Sequence, residues 1–400
     1  MTQKYCFAII FLLSFGISVV KADQLNNQSS KNSKTVKEQM IVPEIPVPDI
    51  QPMFKLGVFG TLGVLHSSQS SGDYILESAM PTGAGRSDEW DLNNYSKLAV
   101  QLNGYFAPKF SGQFQVVTAY DATGDFQPEV EWVNLKYSFN QDAYLRLGRI
   151  GLPTFFDSGN HDVGYSYTWA HPPSELYYLL PIQSSDGIDA MYRSKFGQVR
   201  NSTKMFYGSN IHDGKHISTT SHDMWGIFDS IEYGQTTFHV DFQKRNTTTE
   251  INSSGSTDGG VDCTDISIGV SYDPDDWFVM SEWVQSRTKF ASNAMYIGAG
   301  YHFNKFAPYV LHSQVTPGSL PQDYTPSSSG FDVLRIASRS QQTNSLGVRW
   351  DFKKNFDFKF QYDNVTLGDN SNGFLVNVPP SVTLYGSNFS LFSAVIDFVF

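Results

Sequence analysis

The chain has 400 residues with 28 Lys+Arg against 39 Asp+Glu, a formal charge of −11, 40% hydrophobic and 15% aromatic residues, and only 17% charged ones. An acidic chain with no basic face excludes a nucleic-acid binder. The 31 Phe, 21 Tyr and 7 Trp exclude disorder over most of its length, and so many aromatics beside so few charges is unusual for soluble domains, where about 25% of residues are charged.

In chain order the first element is an export signal: Lys4, the apolar run from Phe7 to Val20, and then Val20-Lys21-Ala22, with small residues where a signal peptidase reads them. Residues 1–22 therefore read as a signal peptide cut after Ala22. Its loss removes Lys4 and Lys21, which takes the charge from −11 to −13, and removes Cys6. Cys263 is then the sole cysteine, so there is no disulfide framework. No later segment has the ~18 consecutive apolar residues of a membrane helix. The exported chain is thus soluble, or it crosses a membrane as a closed barrel. Residues 23–52, polar and then proline-spaced (VPEIPVPDIQP), read as an extended tether.

From 53 to 400 the sequence alternates with a period of two. Phe54, Leu56, Val58, Leu62 and Val64 oppose Lys55, Phe59 and Thr61; Leu98, Val100 and Leu102 oppose Lys97, Gln101 and Asn103; Leu346, Val348 and Trp350 oppose Ser345, Gly347 and Arg349; Phe356, Phe358 and Phe360 oppose Asp357, Lys359 and Gln361. The pattern predicts sixteen strands, at 54–66, 94–106, 110–120, 129–139, 143–149, 185–196, 199–208, 224–233, 235–246, 264–273, 277–288, 293–303, 306–316, 341–352, 356–366 and 388–400. Short links such as Asn140-Gln141-Asp142 and Lys353-Lys354-Asn355 alternate with long polar ones at 67–93, 150–184, 209–223, 247–263, 317–340 and 367–387. An even strand count, tight turns at one end and loops at the other describe an all-β fold, a transmembrane antiparallel β-barrel. Trp350 with Phe352, Tyr301 with Phe303, and Tyr137 with Phe139 fall on the outer face at the short-turn ends, where interfacial aromatics belong.

The C-terminal SAVIDFVF, with Phe400 last and Phe398 and Ile396 on its face, resembles the closing strand of Gram-negative outer-membrane porins. The stretch from Pro128 to Pro173 resembles the strand-turn-strand and third external loop of proteobacterial members. The resemblance covers the barrel and not the tether, which it makes periplasmic. It implies a general-diffusion-type channel for small hydrophilic solutes and ions, set as a homotrimer in outer-membrane lipid and lipopolysaccharide. It also implies that the terminal aromatic is read by the barrel-assembly machinery, and that the third external loop folds into the lumen. No cofactor, metal, catalytic group or nucleic-acid partner is implied.

The 150–184 segment has the composition for an inward fold, with Phe155, Phe156, Tyr165, Tyr167, Trp169, Tyr177 and Tyr178 too apolar to stand in water. Asp157, Asp162, Glu175 and Asp186 give it negative charge. Alternation points Lys97, Lys136, Arg146 and Arg193 into the lumen opposite, with Arg149 beside them as a constriction residue or the partner of a loop carboxylate. Opposed acid and base walls would set up a transverse field at the narrowest point. His161-Asp162 near Ser166 invites a hydrolase reading, but no nucleophile motif with a spaced base accompanies it. The alternative to a channel is a barrel with a filled lumen, acting as an adhesin or surface-interaction protein through its external loops.

Overall fold

The computed structural model describes residues 53–400 apart from 79, 181, 214–216, 252–254, 289–290 and 319–338. The expected signal peptide and tether lie outside the described residues. Sixteen long antiparallel strands form one sheet: β1 Met53–Ser67, β2 Lys97–Ala107, β3 Phe110–Tyr120, β4 Phe126–Ser138, β5 Ala143–Gly151, β6 Ser184–Phe196, β7 Val199–Asp213, β8 Ile217–Tyr233, β9 Thr236–Ile251, β10 Ser256–Tyr272, β11 Trp277–Arg287, β12 Ala291–Tyr301, β13 Phe306–Thr316, β14 Gln341–Lys353, β15 Phe356–Leu367 and β16 Asn388–Val399. Each pairs with its chain neighbours. The sheet closes because β1 pairs along one half with β2, from Met53↔Tyr105 to Thr61↔Lys97, and along the other with β16, from Phe59↔Val399 to Ser67↔Leu391. Phe400 takes part in that seam through its backbone, donating N–H to the Val58 carbonyl at 2.7 Å and accepting from Val58 N–H at 3.0 Å.

The alternation decides which side chain meets which medium. Leu62, Leu98, Leu135, Leu147, Val240, Val310, Leu346 and Ile396 point outward and are exposed. An aromatic ring of Phe139, Tyr233, Trp277, Tyr301, Phe303, Phe306, Trp350 and Phe400, also exposed, lies at the short-turn ends. A wall that exposes its largest apolar groups all round is covered by lipid. Polar and ionisable groups take the inward positions.

One expectation about the loops is corrected. Within the segments 209–223 and 247–263 the described residues are largely strand: β7 and β8 stay paired out to Asp213↔Ser218, and β9 and β10 are paired beyond Asn246↔Asp262. The register shifts between Gly208 and Asn210 and between His222 and Trp225, where the strands leave the apolar band. Residues such as Thr219, Thr220, Thr247 and Thr248 have good strand propensity, but with polar side chains on both faces they show no apolar alternation to read.

A lumen filled by its own loops

The third loop, residues 152–183, leaves β5 at Gly151, whose carbonyl accepts from Lys204 Nζ of β7 at 2.7 Å. Its two stems, Leu152 and Ile182, pack on the inward Phe206, Met224 and Phe228 of β7 and β8. The loop then crosses the barrel. Along β9–β11 it is held by Gln243 donating to the Thr154 hydroxyl at 3.0 Å, Ser267 donating to the Thr154 carbonyl at 3.0 Å, and the Phe156 N–H donating to Glu282 at 2.9 Å. On the far wall Lys97 donates to the His161 carbonyl at 3.2 Å and meets Asp162 at 3.4 Å, while Val163 and Tyr165 pack on Phe59, Ala99 and Val117 of β1–β3.

Its middle turn is fixed by the charged inner face of β14–β16. Lys359 Nζ donates to the Gly164 carbonyl at 2.6 Å, and Arg349 donates to the carbonyls of Tyr165 at 2.8 Å and Tyr167 at 2.9 Å. The two cations are neutralised from beneath, Arg349 by Asp357 at 3.1 Å and Asp351 at 2.9 Å, Lys359 by Asp397 at 3.0 Å. Only glycine fits at 164, since a Cβ there would overlap the Asp397 carboxylate and sit 2.7 Å from the Thr61 hydroxyl. Trp169 then drops edge-on between Phe278, Tyr296 and Tyr309, over Gly298 of β12. The short helix α1, Ser174–Leu179, ends the crossing, with Glu175 accepting from Ser313, Gln341 and Thr343 at 2.7, 2.8 and 2.5 Å.

The first loop (68–96) and the eighth (368–387) close over the third. Tyr74, Ile75, Leu76 and Met80 from one, and Phe374, Leu375 and Leu384 from the other, join Trp169, Leu176 and Tyr178 in one apolar cluster. Tyr178 and Phe374 stack at 4.2 Å between ring centres. As a result every one of the sixteen strands buries at least one inward side chain, from Phe59 on β1 and Ala99 on β2 to Lys359 on β15 and Asp397 on β16. Water-filled pores leave such residues wet. Here the loops occupy the lumen.

The expected charges are distributed accordingly. Lys97 and Asp162 form an ion pair across the junction of loop and wall. Arg146 grips Asp189 of β6 with two bonds, of 3.0 and 2.6 Å, and Lys204 meets the same carboxylate at 3.0 Å. Lys136 lies over the Tyr144 ring at 5.4 Å, and both it and Arg193 are inward and partly exposed. Asp157 and Glu175 are buried within the packed loop.

Arg149 and Asp186 require a correction. Arg149 shares its face with Leu145 and Leu147, and Asp186 with Ile188, so both point outward and pair with each other at 2.7 Å. Asp186 lies on β6, whose first residue is Ser184, so strand parity and not loop conformation sets its direction. Not singled out from the sequence were Asp189, Lys204, Glu282, Arg349, Asp357, Lys359 and Asp397, although alternation had already turned several of them inward. Their role depends on the loop lying against them.

Two loop histidines tie the filling to pH. Burial pushes His161 down, but Asp162 at 3.3 Å and Glu77 at 3.4 Å outweigh it and hold the imidazole at about 9. The same cation, with Lys97, holds Asp162 well below the usual carboxylate range despite its burial. His171, buried as well, is raised by Asp363 of β15 at 3.6 Å. Beside His161 a cavity of about 10 Å³, lined by Gln115, Glu131 and Trp132, is large enough for a single water.

No protein-family model and no curated protein sequence matches this chain. Solved structures do. The anion-selective porin from Comamonas acidovorans aligns with TM-score 0.55 at 11% identity, over 88% of this chain and 100% of that one. OmpF of Salmonella typhi, solved with daunomycin, aligns with TM-score 0.55 at 12% identity over 87% and 97%. The trimer form of OmpT from Vibrio cholerae aligns with TM-score 0.52 at 12% identity over 88% and 100%. At these identities the likeness is one of fold.

Proposed function

We propose that this chain, which has the sixteen-stranded fold of the outer-membrane porins, is an outer-membrane channel for small hydrophilic solutes and ions, and that it conducts when the third loop withdraws from part of the wall. The observation that carries this reading is the inner face itself. An inert plug needs only an apolar seat, whereas Arg146, Asp189, Lys204, Glu282, Arg349, Asp357, Lys359 and Asp397 line this lumen with charge that water and ions would replace as partners. Lys136, Arg146 and Arg193 on β4–β6 are partly exposed beside the filling, so the passage is proposed to run along that wall with Asp162 on the loop side, while Asp157 and Glu175, buried in the packed loop, would reach it only once the loop withdraws. The trimer form of a protein with this fold supports a homotrimer. Phe400, with Phe398 and Ile396 on the same outward face, is proposed as the signal for barrel assembly.

Reconstitution in planar bilayers tests the channel. The parent protein is expected to give rare, brief ohmic steps. The double variant Arg349→Ser, Lys359→Ser, which releases the loop's middle turn, is expected to give long ones. Absence of current from both, with the barrel folded, would refute conduction. The filled lumen together with the β7–β10 hairpins that stand beyond the membrane band favours the second reading in that event, a surface-interaction barrel.

A further inference from the structure

Charge on the inner wall of β4–β6 is sorted by height. Acids prevail at the loop end. Glu129 of β4 pairs in the ladder with Val117, which packs on the loop residue Val163, so Glu129 faces the lumen, and it is exposed there. Asp121 and Asp125 lie in the link between β3 and β4 just above it. Nearby, Glu77 and Asp162 are matched by His161 at 3.4 and 3.3 Å and by Lys97 at 3.4 Å, which leaves Asp121, Asp125 and Glu129 as the net charge of this end.

Toward the short turns the balance reverses. Arg146 and Lys204 share one carboxylate, Asp189, at 2.6 and 3.0 Å, and Lys136 stands opposite Arg146 in the ladder. Arg193 and Lys195 have the inward parity of Asp189 on β6 and carry the row down to the periplasmic end. Arg200 is cancelled by Glu232 at 3.0 Å, so among the described residues of this wall the five cations are set against Asp189 and, in the β4–β5 turn, Asp142. The acids of the β10–β11 turn lie four strands from β6, about 19 Å around the wall and more than two Debye lengths of ~8 Å away. The two ends of the wall are as well separated: Glu129 and Lys136 are seven residues apart on β4, about 23 Å of strand. Between their levels loop and wall leave only the water-sized cavity beside Gln115, Glu131 and Trp132, so a passage along this wall is narrowest between an acid mouth and a base mouth.

We propose that this passage rectifies, carrying more current when the loop side is positive than when it is negative. An acid mouth gathers cations and a base mouth gathers anions. A voltage that drives cations in from the loop side and anions in from the periplasmic side sends both into the narrow section and raises its conductance. The opposite voltage draws both away and lowers it. The field that matters therefore runs along the axis and not across the constriction. This rests on the channel reading and adds a direction to it.

The test records single channels of the full chain in planar bilayers at equal voltages of both signs. In ~1 M KCl, where the Debye length is ~3 Å, the steps stay ohmic; in ~0.1 M KCl, where it is ~10 Å, the currents at the two polarities are expected to differ at least about twofold. Neutralising the acid mouth with Asp125→Cys, Glu129→Gln is expected to remove most of that difference and turn the pore toward anions. An anionic methanethiosulfonate is then expected to restore it from the loop chamber, which identifies the sidedness, since Cys263 is buried. Arg193→Gln, Lys195→Gln is expected to remove the difference as well but to turn the pore toward cations, whereas Lys353→Gln, Lys354→Gln, the same charge change in the β14–β15 turn of the far wall, should leave it intact. The ratio in the parent needs no substitution, so the inference stays testable if a variant fails to fold. Equal currents at both polarities in dilute salt, or the larger current with the loop side negative, overturn the inference and leave the channel standing. A ratio that neither neutralising variant alters overturns the assignment to these charges. No current from the parent or from Arg349→Ser, Lys359→Ser overturns the channel reading, and this inference with it.

Discussion

Two sets of connections leave the loop end of this barrel, and they go opposite ways. The first, third and eighth loops turn inward and fill the lumen, whereas the β7–β8 and β9–β10 connections carry their ladders straight on into water. The difference is apolar content. Residues 152–183 include Phe155, Phe156, Tyr165, Tyr167, Trp169, Tyr177 and Tyr178, all of them buried or nearly so. Burying such side chains contributes about 1.5–3 kcal/mol each, more than the ordering of a loop costs per residue. The hairpins offer Thr219, Thr220, Thr247 and Thr248, polar side chains with little to gain from an apolar core. For them, continuing the backbone ladder satisfies every N–H and C=O with no need of a core.

If apolar burial is what turns a loop inward, its most buried ring should carry the largest effect. Trp169→Ala removes a side chain that is 1% exposed and leaves a cavity between Phe278, Tyr296 and Tyr309. A loss of about 3–5 kcal/mol is expected, read as earlier cleavage of the third loop by added protease and longer open times in bilayers. Trp225→Ala, on the exposed outer face, should leave both readouts unchanged. Equal effects would mean that the loop is held by its hydrogen bonds alone.

That contrast also marks what the sequence could reveal. The sixteen strands were legible because lipid on one face and a polar lumen on the other impose a period of two, and the inward set of Lys97, Lys136, Arg146 and Arg193 followed from parity. The hairpin extensions were illegible because polar residues on both faces leave no apolar period. Asp186 was misplaced because its charge was credited to the loop although it lies two residues into the strand that begins at Ser184, where parity turns it outward. The partners of Arg349 and Lys359 are backbone carbonyls of Gly164, Tyr165 and Tyr167, and a carbonyl has no sequence signature. Nor could the sequence show that Asp157 and Glu175 would be enclosed, because the packing around them depends on where the whole loop lies.

Charge makes a smaller contribution to the same inward fold, and pH should expose it. His161 faces Asp162 and Glu77, with Lys97, Glu131 and the ring of Tyr177 also close. Its folded value of about 9 stands above the ordinary 6.5, so the stabilisation is fully present below about pH 6.5 and is lost as pH rises through 9. The shift corresponds to at most about 3 kcal/mol. His171 acts in the same direction through Asp363. Channel openings are thus expected to become more frequent between pH 6.5 and 9, and His161→Gln should flatten that rise. A rise on acidification would reverse the sign and overturn the account.

The smallest effect is expected where the connections point outward. Joining Gly208 to Met224 through a two-residue Asn-Gly turn removes the projecting part of β7 and β8 and keeps the ladder that begins at Gly208↔Met224. The removed residues leave the apolar cluster of the lumen untouched, since that cluster is built from the first, third and eighth loops and the wall. Barrel stability should therefore change by no more than about 0.5 kcal/mol, the range of surface substitutions away from packed features, and conductance should match that of the parent. Urea unfolding in lipid and single-channel recording read the two quantities. A hairpin deletion that opened the pore would show that the outward extensions hold the inward loops in place, and the division between the two sets of connections would then fail.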